Sequence, residues 1–481
     1  TENFLPKIDG VTRTLMKLLI HLRRGGHHVL VLGPASGMSE YEGAQICGTR
    51  GLPLVVYPDL KLNWFNPAFV HRLQEFQPEV IHVVDPIWLC AQSIPMVRYI
   101  LPEVELVSSY HTNLASYSSL FGFSWLSPAI WAIQRYLHGQ AKITFCPSSS
   151  TAAMLRSHGF CQPDKPSTSR SGFPSLRVWG RGVDTALFNP SRRDASLRVE
   201  WMPELAAGHT KALLAFGGGN AVVLLYVGRL SWEKNLRLLV EAFRGLNELV
   251  ASRHELSDSA VSAPAPRCKL VFVGSGPART EIETLCASYA LDVAFTGQLR
   301  GEALARVFAS ADVFAFPSWT ETFGQVVLEA LASGLAVVGL DAEGVCDLVS
   351  HGETGLLMPW NLVCGDGDAV SVSPHAFFDP KGPHFAGAVA RYRALLAEVV
   401  LSPEMRWQMA GRAVEAASKH TWSGAMDVVV KGYREVAAVT RLHRSRKASE
   451  PRGALGWLHH AWRKCISVSL VDFPFYHFIG N

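Results

Sequence analysis

Short β-branched runs alternate with longer amphipathic stretches along most of the chain. The first series of apolar runs is HHVLVLGP (27–34), PLVVYP (53–58), EVIHVVDP (79–86), VELVSSYH (104–111) and KITFCPS (142–148). Each has the length of a buried strand and ends near turn residues. A second series follows with AVVLLYVGRL (221–230), KLVFVGSGP (269–277), DVAFTGQL (292–299), DVFAFPS (312–318) and AVVGLD (336–341). Helical stretches lie between them. In GVTRTLMKLLIHLRRGG (10–26), Val11, Leu15, Leu18, Leu19 and Leu22 recur at helical spacing. This alternation predicts an α/β protein with parallel sheets. Two series predict two Rossmann-like lobes, over 1–205 and 206–420, with a helix at 421–436 returning to the first lobe.

A doubly wound lobe opens on a strand, yet only nine residues precede the helix at 10–26, and they include Pro6. The first strand is therefore expected to be missing, as in a chain truncated at its start. The stretches 161–175, 252–267 and 362–385 carry Pro, Ser, Gly and Asp signals and read as surface loops. A tail is expected from 437 to 481, basic first and aromatic last. Arg441, Arg444, Arg446 and Lys447, followed by Trp457, Trp462 and several Phe, suit an anionic lipid surface. An ordinary packed or disordered tail is the alternative.

Composition narrows the picture. With 481 residues, 48% hydrophobic, the chain has material for more than one core. A net charge of +4 is too small to point to nucleic acid. The nine cysteines are scattered without a C-x-x-C pair, which argues against a disulfide framework and for a reducing, cytoplasmic setting. The uncharged stretch from Leu106 to Gln134 holds Ser, Thr, His, Asn and Pro128, too polar a mixture for a membrane span. There is no D-x-D, H-E-x-x-H or Cys/His cluster, so neither a metal nor a cofactor is expected.

Candidate chemistry sits at strand ends. Arg229 follows a strand and Lys234 lies five residues later, where cations of an open α/β sheet face the ligand crevice. A guanidinium and an ammonium suit a diphosphate; two solvated surface charges are the alternative. Gly274 and Gly276 allow either a close backbone approach to a ligand or a tight turn. Phe323, Gly324 and Gln325 are expected to start a helix ending near Ser333. Its free N–H groups and positive dipole end suit an anion, while Thr322 is a candidate N-cap. Glu321 precedes this helix and Glu329 lies within it. Were 321–329 all helical, the two would stand about 12 Å apart, too far for a glycosidase-type pair. They read instead as grips on two ends of one extended ligand. A buried Glu329 satisfied by local donors is the alternative. His111 ends one strand and Asp85 the preceding one; a strand-end His suits a sugar hydroxyl or simple structural packing.

The segment ETFGQVVLE, with VGRLSWEKN, FVGSGP, FTGQL, ADVFAFPS and RGVDTALFNP, resembles the E-x7-E motif and flanking signatures of the retaining GT-B glycosyltransferases of family 4. DGVTRT, YEGAQICGTR, SYHTN and FSWLSPAIWAIQRYLH look closer to its sulfoquinovosyl-diacylglycerol synthases and GDP-mannose-dependent α-mannosyltransferases. DAEGVCDLV departs from the pattern, with Glu343 and Cys346 where many relatives have Gly and Pro.

The resemblance implies a metal-independent retaining transferase. It would move a hexose from GDP-mannose or a UDP-sugar to a lipid or glycan acceptor, with a sulfoquinovosyltransferase acting on diacylglycerol as an alternative. Arg229 and Lys234 would hold the donor diphosphate and Gly10 would admit it. Glu329 would hold the ribose. Glu321, Phe323, Gly324 and Gln325 would hold sugar and phosphate, His111 would contact the donor sugar, and Asp85 would lie near the acceptor. A nucleotide-sugar epimerase or hydrolase of the same fold is the reading from another class. The implied setting is the cytoplasm, with a peripheral position on a membrane facing the cytosol.

Overall fold

The computed structural model describes residues 1–6, 9–54, 57–120, 122–161, 175–203, 221–256, 264–360, 362–364, 369–371 and 373–449. The C-terminal lobe is built on a six-stranded parallel sheet. Its strands run in the order Val293–Gly297, Arg267–Val273, Ala221–Val227, Val313–Phe316, Ala336–Leu340 and Gly355–Met358. Every residue of Ala221–Val227 is buried, as a central strand covered on both faces requires. The strand order reverses here. Arg267–Val273 pairs on one side and Val313–Phe316 on the other, leaving a crevice at the carboxyl ends where such sheets bind ligands.

The N-terminal lobe contains a four-stranded parallel sheet of Val80–Val84, Glu105–Ser109, Ile143–Cys146 and Ser175–Val178. Strand Leu30–Pro34 does not join it, pairing instead with Ala44–Thr49 in a separate small sheet. An apolar cavity of about 900 Å³ lies between these two groups, lined by Leu30 to Leu32 on one side and Val80 to Val84 on the other. The Thr1 amine donates to the Leu32 carbonyl at 2.8 Å.

Helix Gly10–Arg24 forms where the apolar spacing predicted it. Asp9 caps it, accepting from the Thr12 amide. Leu15, Leu18, Leu19 and Leu22 are buried, each contributing about 1.5–3 kcal/mol relative to exposure.

Several expectations need correction. PLVVYP is not a strand of the parallel sheet, because Leu52–Leu54 and Tyr57–Leu62 pair antiparallel with each other. Ala44–Thr49 and Ser175–Val178 are parallel strands that periodicity missed. The basic run after 437 is not a tail, since helix Trp422–Ser449 continues through it along the N-terminal lobe. Arg441 pairs with Glu79, Lys447 with Glu103, and Arg444 donates to the Pro78 carbonyl. These charges are tied to the fold. Trp457 and Trp462 lie outside the described residues, as do 162–174 and 257–263 of the first two expected loops. The third, 362–385, is not simply a surface loop: Leu362–Cys364 pairs antiparallel with Ala369–Ser371, and helix Pro374–Phe377 is followed by Phe378, with Phe377 and Phe378 buried in the core. Packing of the second lobe begins upstream of residue 205, with Arg193 and Arg198 both paired to its buried Asp312. Among the described residues no helix is long and apolar enough to cross a membrane.

Candidate active site

A pocket of about 220 Å³ opens at the strand-order reversal. Seven of the expected site residues line it: Gly10, Arg229, Lys234, Glu321, Phe323, Gly324 and Gln325. Arg229 arrives directly after strand Ala221–Val227. Lys234 is carried by the one-turn helix Trp232–Lys234, which ends at Asn235 in a left-handed conformation. The Asn235 amide side chain donates to the Pro317 carbonyl, fixing this turn against the loop that carries Glu321.

The Lys234 ammonium lies 2.6 Å from Oε1 of Glu321, and Ser318 Oγ donates to the same oxygen at 3.2 Å. Burial pushes the Glu321 carboxyl up, but Lys234, Ser318 and Arg181 outweigh it and leave it below the ordinary glutamate value. Glu321 is thus a carboxylate held beside a cation, suited to accept hydrogen bonds from hydroxyls.

Helix Gln325–Ala332 begins two residues later than Phe323, where it was expected to start. Gly324 precedes it at φ 87°, and no side chain caps it. Thr322 is not the N-cap, because its hydroxyl donates to the His111 carbonyl of the other lobe at 3.0 Å. The first turn of the helix therefore has no capping side chain competing for its N–H groups.

Glu329 points the other way. Its Oε1 pairs with Nη1 of Arg13 at 3.0 Å, and its Oε2 is buried without a partner among the described residues. Burial raises its pKa to about 7 against the opposing pull of Arg13 and the Gln325 side chain. The alternative of satisfaction by local backbone donors is not what the described residues show; a cation from the first lobe, Arg13, pairs with it instead. Only Gln325–Ala332 is helical, so the straight-helix separation of Glu321 and Glu329 does not apply.

Gly274, Gly276, His111, Asp85 and Glu329 are not among the residues lining this pocket. A Cβ at Gly274 would stand 1.9 Å from the Gly228 carbonyl oxygen, and one at Gly276 would stand 2.3 Å from that of Leu230. Both glycines let two βα turns pack together. They thereby hold the loop that carries Arg229. Asp85 is also spent on structure, accepting from the amides of His111 and Thr112 and from the Thr112 hydroxyl. Burial raises its pKa to about 6. His111 shares a 2.9 Å hydrogen bond with Ser109 Oγ through Nε2, while its buried Nδ1 has no partner among the described residues. Burial and the nearby Arg181 keep it neutral.

Sequence reasoning missed the groups that cross the cleft. Arg13 and Arg181 both come from the first lobe, and Arg181 lines the pocket. Thr151 Oγ1 donates to Glu343 Oε1 at 2.5 Å, and Ser150 meets Asp347 through amide and hydroxyl. The unusual Glu343 thus joins the two lobes. Arg13 and Arg181 lay within the recognised stretches DGVTRT and RGVDTALFNP, but no local pattern announces a partner so far away. Among the described residues no three His, Cys, Asp or Glu side chains gather as a metal-ligand set.

Comparison with known proteins agrees with this geometry. Residues 8–187 match the family described as Glycosyltransferase Family 4, and residues 218–362 match Glycosyl transferases group 1. The chain is 33% identical over 366 residues to a GDP-mannose-dependent alpha-mannosyltransferase of Mycolicibacterium smegmatis, covering 74% of this chain and 82% of that protein. The chain belongs to the group 1, family 4 glycosyltransferases. This glycosyltransferase is also 30% identical to sulfoquinovosyl transferase SQD2 of Arabidopsis thaliana, over 73% of its own length and 61% of that protein. Among solved structures, sucrose-phosphate synthase from Thermosynechococcus elongatus superposes with a TM-score of 0.62 at 20% identity, covering 89% of this chain and 94% of that one. Anabaena HepE, solved in complex with UDP-glucose, superposes at 0.58 with 16% identity, covering 90% and 98%. These likenesses show the GT-B fold, two Rossmann-like lobes across a cleft.

Proposed function

We propose that this glycosyltransferase moves a hexose from a nucleotide-diphosphate sugar to a lipid or glycan acceptor, with retention of configuration and without a metal. One observation carries the reading. Arg229, Lys234, Glu321 and the uncapped start of helix Gln325–Ala332 converge on one pocket at the sheet's switch point. Two cations and helix-start amides are what a departing diphosphate needs to stabilise its charge. In this reading Glu321, held by Lys234, accepts from hydroxyls of the donor sugar, and Glu329 accepts from the ribose through its unpartnered Oε2. His111 contributes Nδ1 to a sugar hydroxyl.

Retention follows if the acceptor attacks from the face the diphosphate leaves, with a phosphate oxygen taking its proton. Catalysis is then positioning and electrostatics inside a closing cleft. GDP-mannose and UDP-sugars are the donors, by likeness to the mannosyl and sulfoquinovosyl relatives. The exposed Trp125, Ile133 and Tyr136 of the first lobe give a lipid acceptor's membrane a surface to meet.

The test is product analysis with labelled donor. Free nucleotide plus glycosylated acceptor supports transfer, with the anomeric configuration of the product deciding retention. An altered sugar nucleotide without transfer would establish the epimerase reading instead.

A further inference from the structure

Arg181 is the third cation of the pocket, and it comes from the opposite lobe. It follows strand Ser175–Val178 in the stretch WGRGVD. Its side chain is buried, with its guanidinium carbon 5.6 Å from the centre of the Phe323 ring. Nε has no hydrogen-bond partner, and no ion pair involves the group among the described residues. Glu321 and Asp9 lie within its electrostatic reach, Arg13 adds like charge, and burial lowers its pKa to about 10. Gly10 makes room for it, since a Cβ there would stand 2.8 Å from Nη1.

A guanidinium buried without a paired anion is costly, and leaving such a charge uncompensated weighs several kcal/mol against the fold. Its planar fork of donors matches phosphate oxygens better than any other side chain does. Arg181 lines the same 220 Å³ pocket as Arg229 and Lys234. Lys234 is already paired to Glu321. The structure therefore holds a buried, unpaired cation at the place where the donor reading puts a diphosphate.

We infer that Arg181 is a binding residue for the second, sugar-bearing phosphate of the donor, supplied by the N-terminal lobe to a pocket lined mainly by the C-terminal lobe. This rests on the proposed function. The diphosphate then bridges the lobes, with Arg229 and Lys234 on one side and Arg181 on the other. Phe323 holds the guanidinium plane, and Gly10 is small so that Arg181 can reach.

Calorimetric titration of the full chain with GDP, UDP, GMP and UMP tests this. Arg181→Met is expected to lose about 10- to 100-fold in affinity for the nucleoside diphosphate while changing little for the monophosphate. Arg181→Lys should recover part of the loss, and Gly10→Ala, which crowds Nη1, should reproduce part of it. A merely structural role would weaken both nucleotides alike or neither. Equal diphosphate affinity in wild type and Arg181→Met would overturn the assignment of Arg181 alone. A wild type that binds no nucleoside diphosphate would overturn the donor reading beneath it. Should Arg181→Met not fold, the Lys and Gly10→Ala variants carry the same comparison.

Discussion

Nζ of Lys234 stands 2.6 Å from Oε1 of Glu321, so one of the pocket's cations and its carboxylate form one unit. The pair keeps Glu321 ionised despite burial. Glu321→Gln retains the shape but removes the charge. It is expected to lower kcat by about 10²-fold or more, with nucleotide affinity little changed. Steady-state kinetics together with a binding titration check this; full activity in Glu321→Gln would contradict it.

Glu329 gives a dependence on pH. Its folded pKa of about 7 lies above the ordinary glutamate value of 4.5. Between those values the folded protein holds more protons than the unfolded chain, so stability falls as pH rises. The contribution is fully present below about pH 4.5, is lost as pH rises through 7, and amounts to about 3 kcal/mol. Glu329→Gln should remove this pH dependence, which urea unfolding of both proteins from pH 5 to pH 8 would show as a wild-type-minus-variant difference that moves against wild type up to about pH 7 and then levels off. A donor whose ribose bonds the ionised carboxylate should also bind more tightly as pH rises through 7. A flat wild-type-minus-variant difference would count against both.

Gly274 tests how the Arg229 loop is held. Its φ is 138°, and a Cβ would stand 1.9 Å from the Gly228 carbonyl oxygen. Gly274→Ala should cost about 2–4 kcal/mol in urea unfolding, from backbone strain and the displaced turn. A variant as stable as wild type would mean the two turns separate easily.

In the proposed reading, two cations and helix-start amides neutralise the departing diphosphate without a metal. Transfer in excess EDTA should therefore proceed at the untreated rate. Loss of activity on chelation, restored by a divalent ion, would contradict the metal-independent reading.

Much of this was legible because central parallel strands are continuous apolar runs. Ala221–Val227 and Val313–Phe316 stand out in sequence, and Arg229 and Glu321 follow at their ends. Ala44–Thr49 was not legible, since Gln45, Gly48 and Thr49 break the apolar pattern. PLVVYP looked like a strand and contributes to a hairpin, because composition specifies extended backbone but not its partner. The cross-lobe contacts were hidden for a simpler reason. Arg13 and Glu329 are 316 residues apart, and periodicity reports only neighbours along the chain. The structural contacts of Gly274 and Asp85 were equally hidden, since a strand-end position announces neither its loop partner nor its hydrogen bonds.

The central claim is transfer from a nucleotide sugar held by Arg229, Lys234 and Glu321. The direct measurement incubates the full chain with labelled GDP-mannose, UDP-glucose and UDP-sulfoquinovose, each with lipid acceptors, beside a Lys234→Ala, Glu321→Ala double variant. The account predicts that one donor yields labelled acceptor and free nucleoside diphosphate, and that the double variant yields neither. Transfer that survives in the double variant, or conversion of a donor to another sugar nucleotide without transfer, would contradict it.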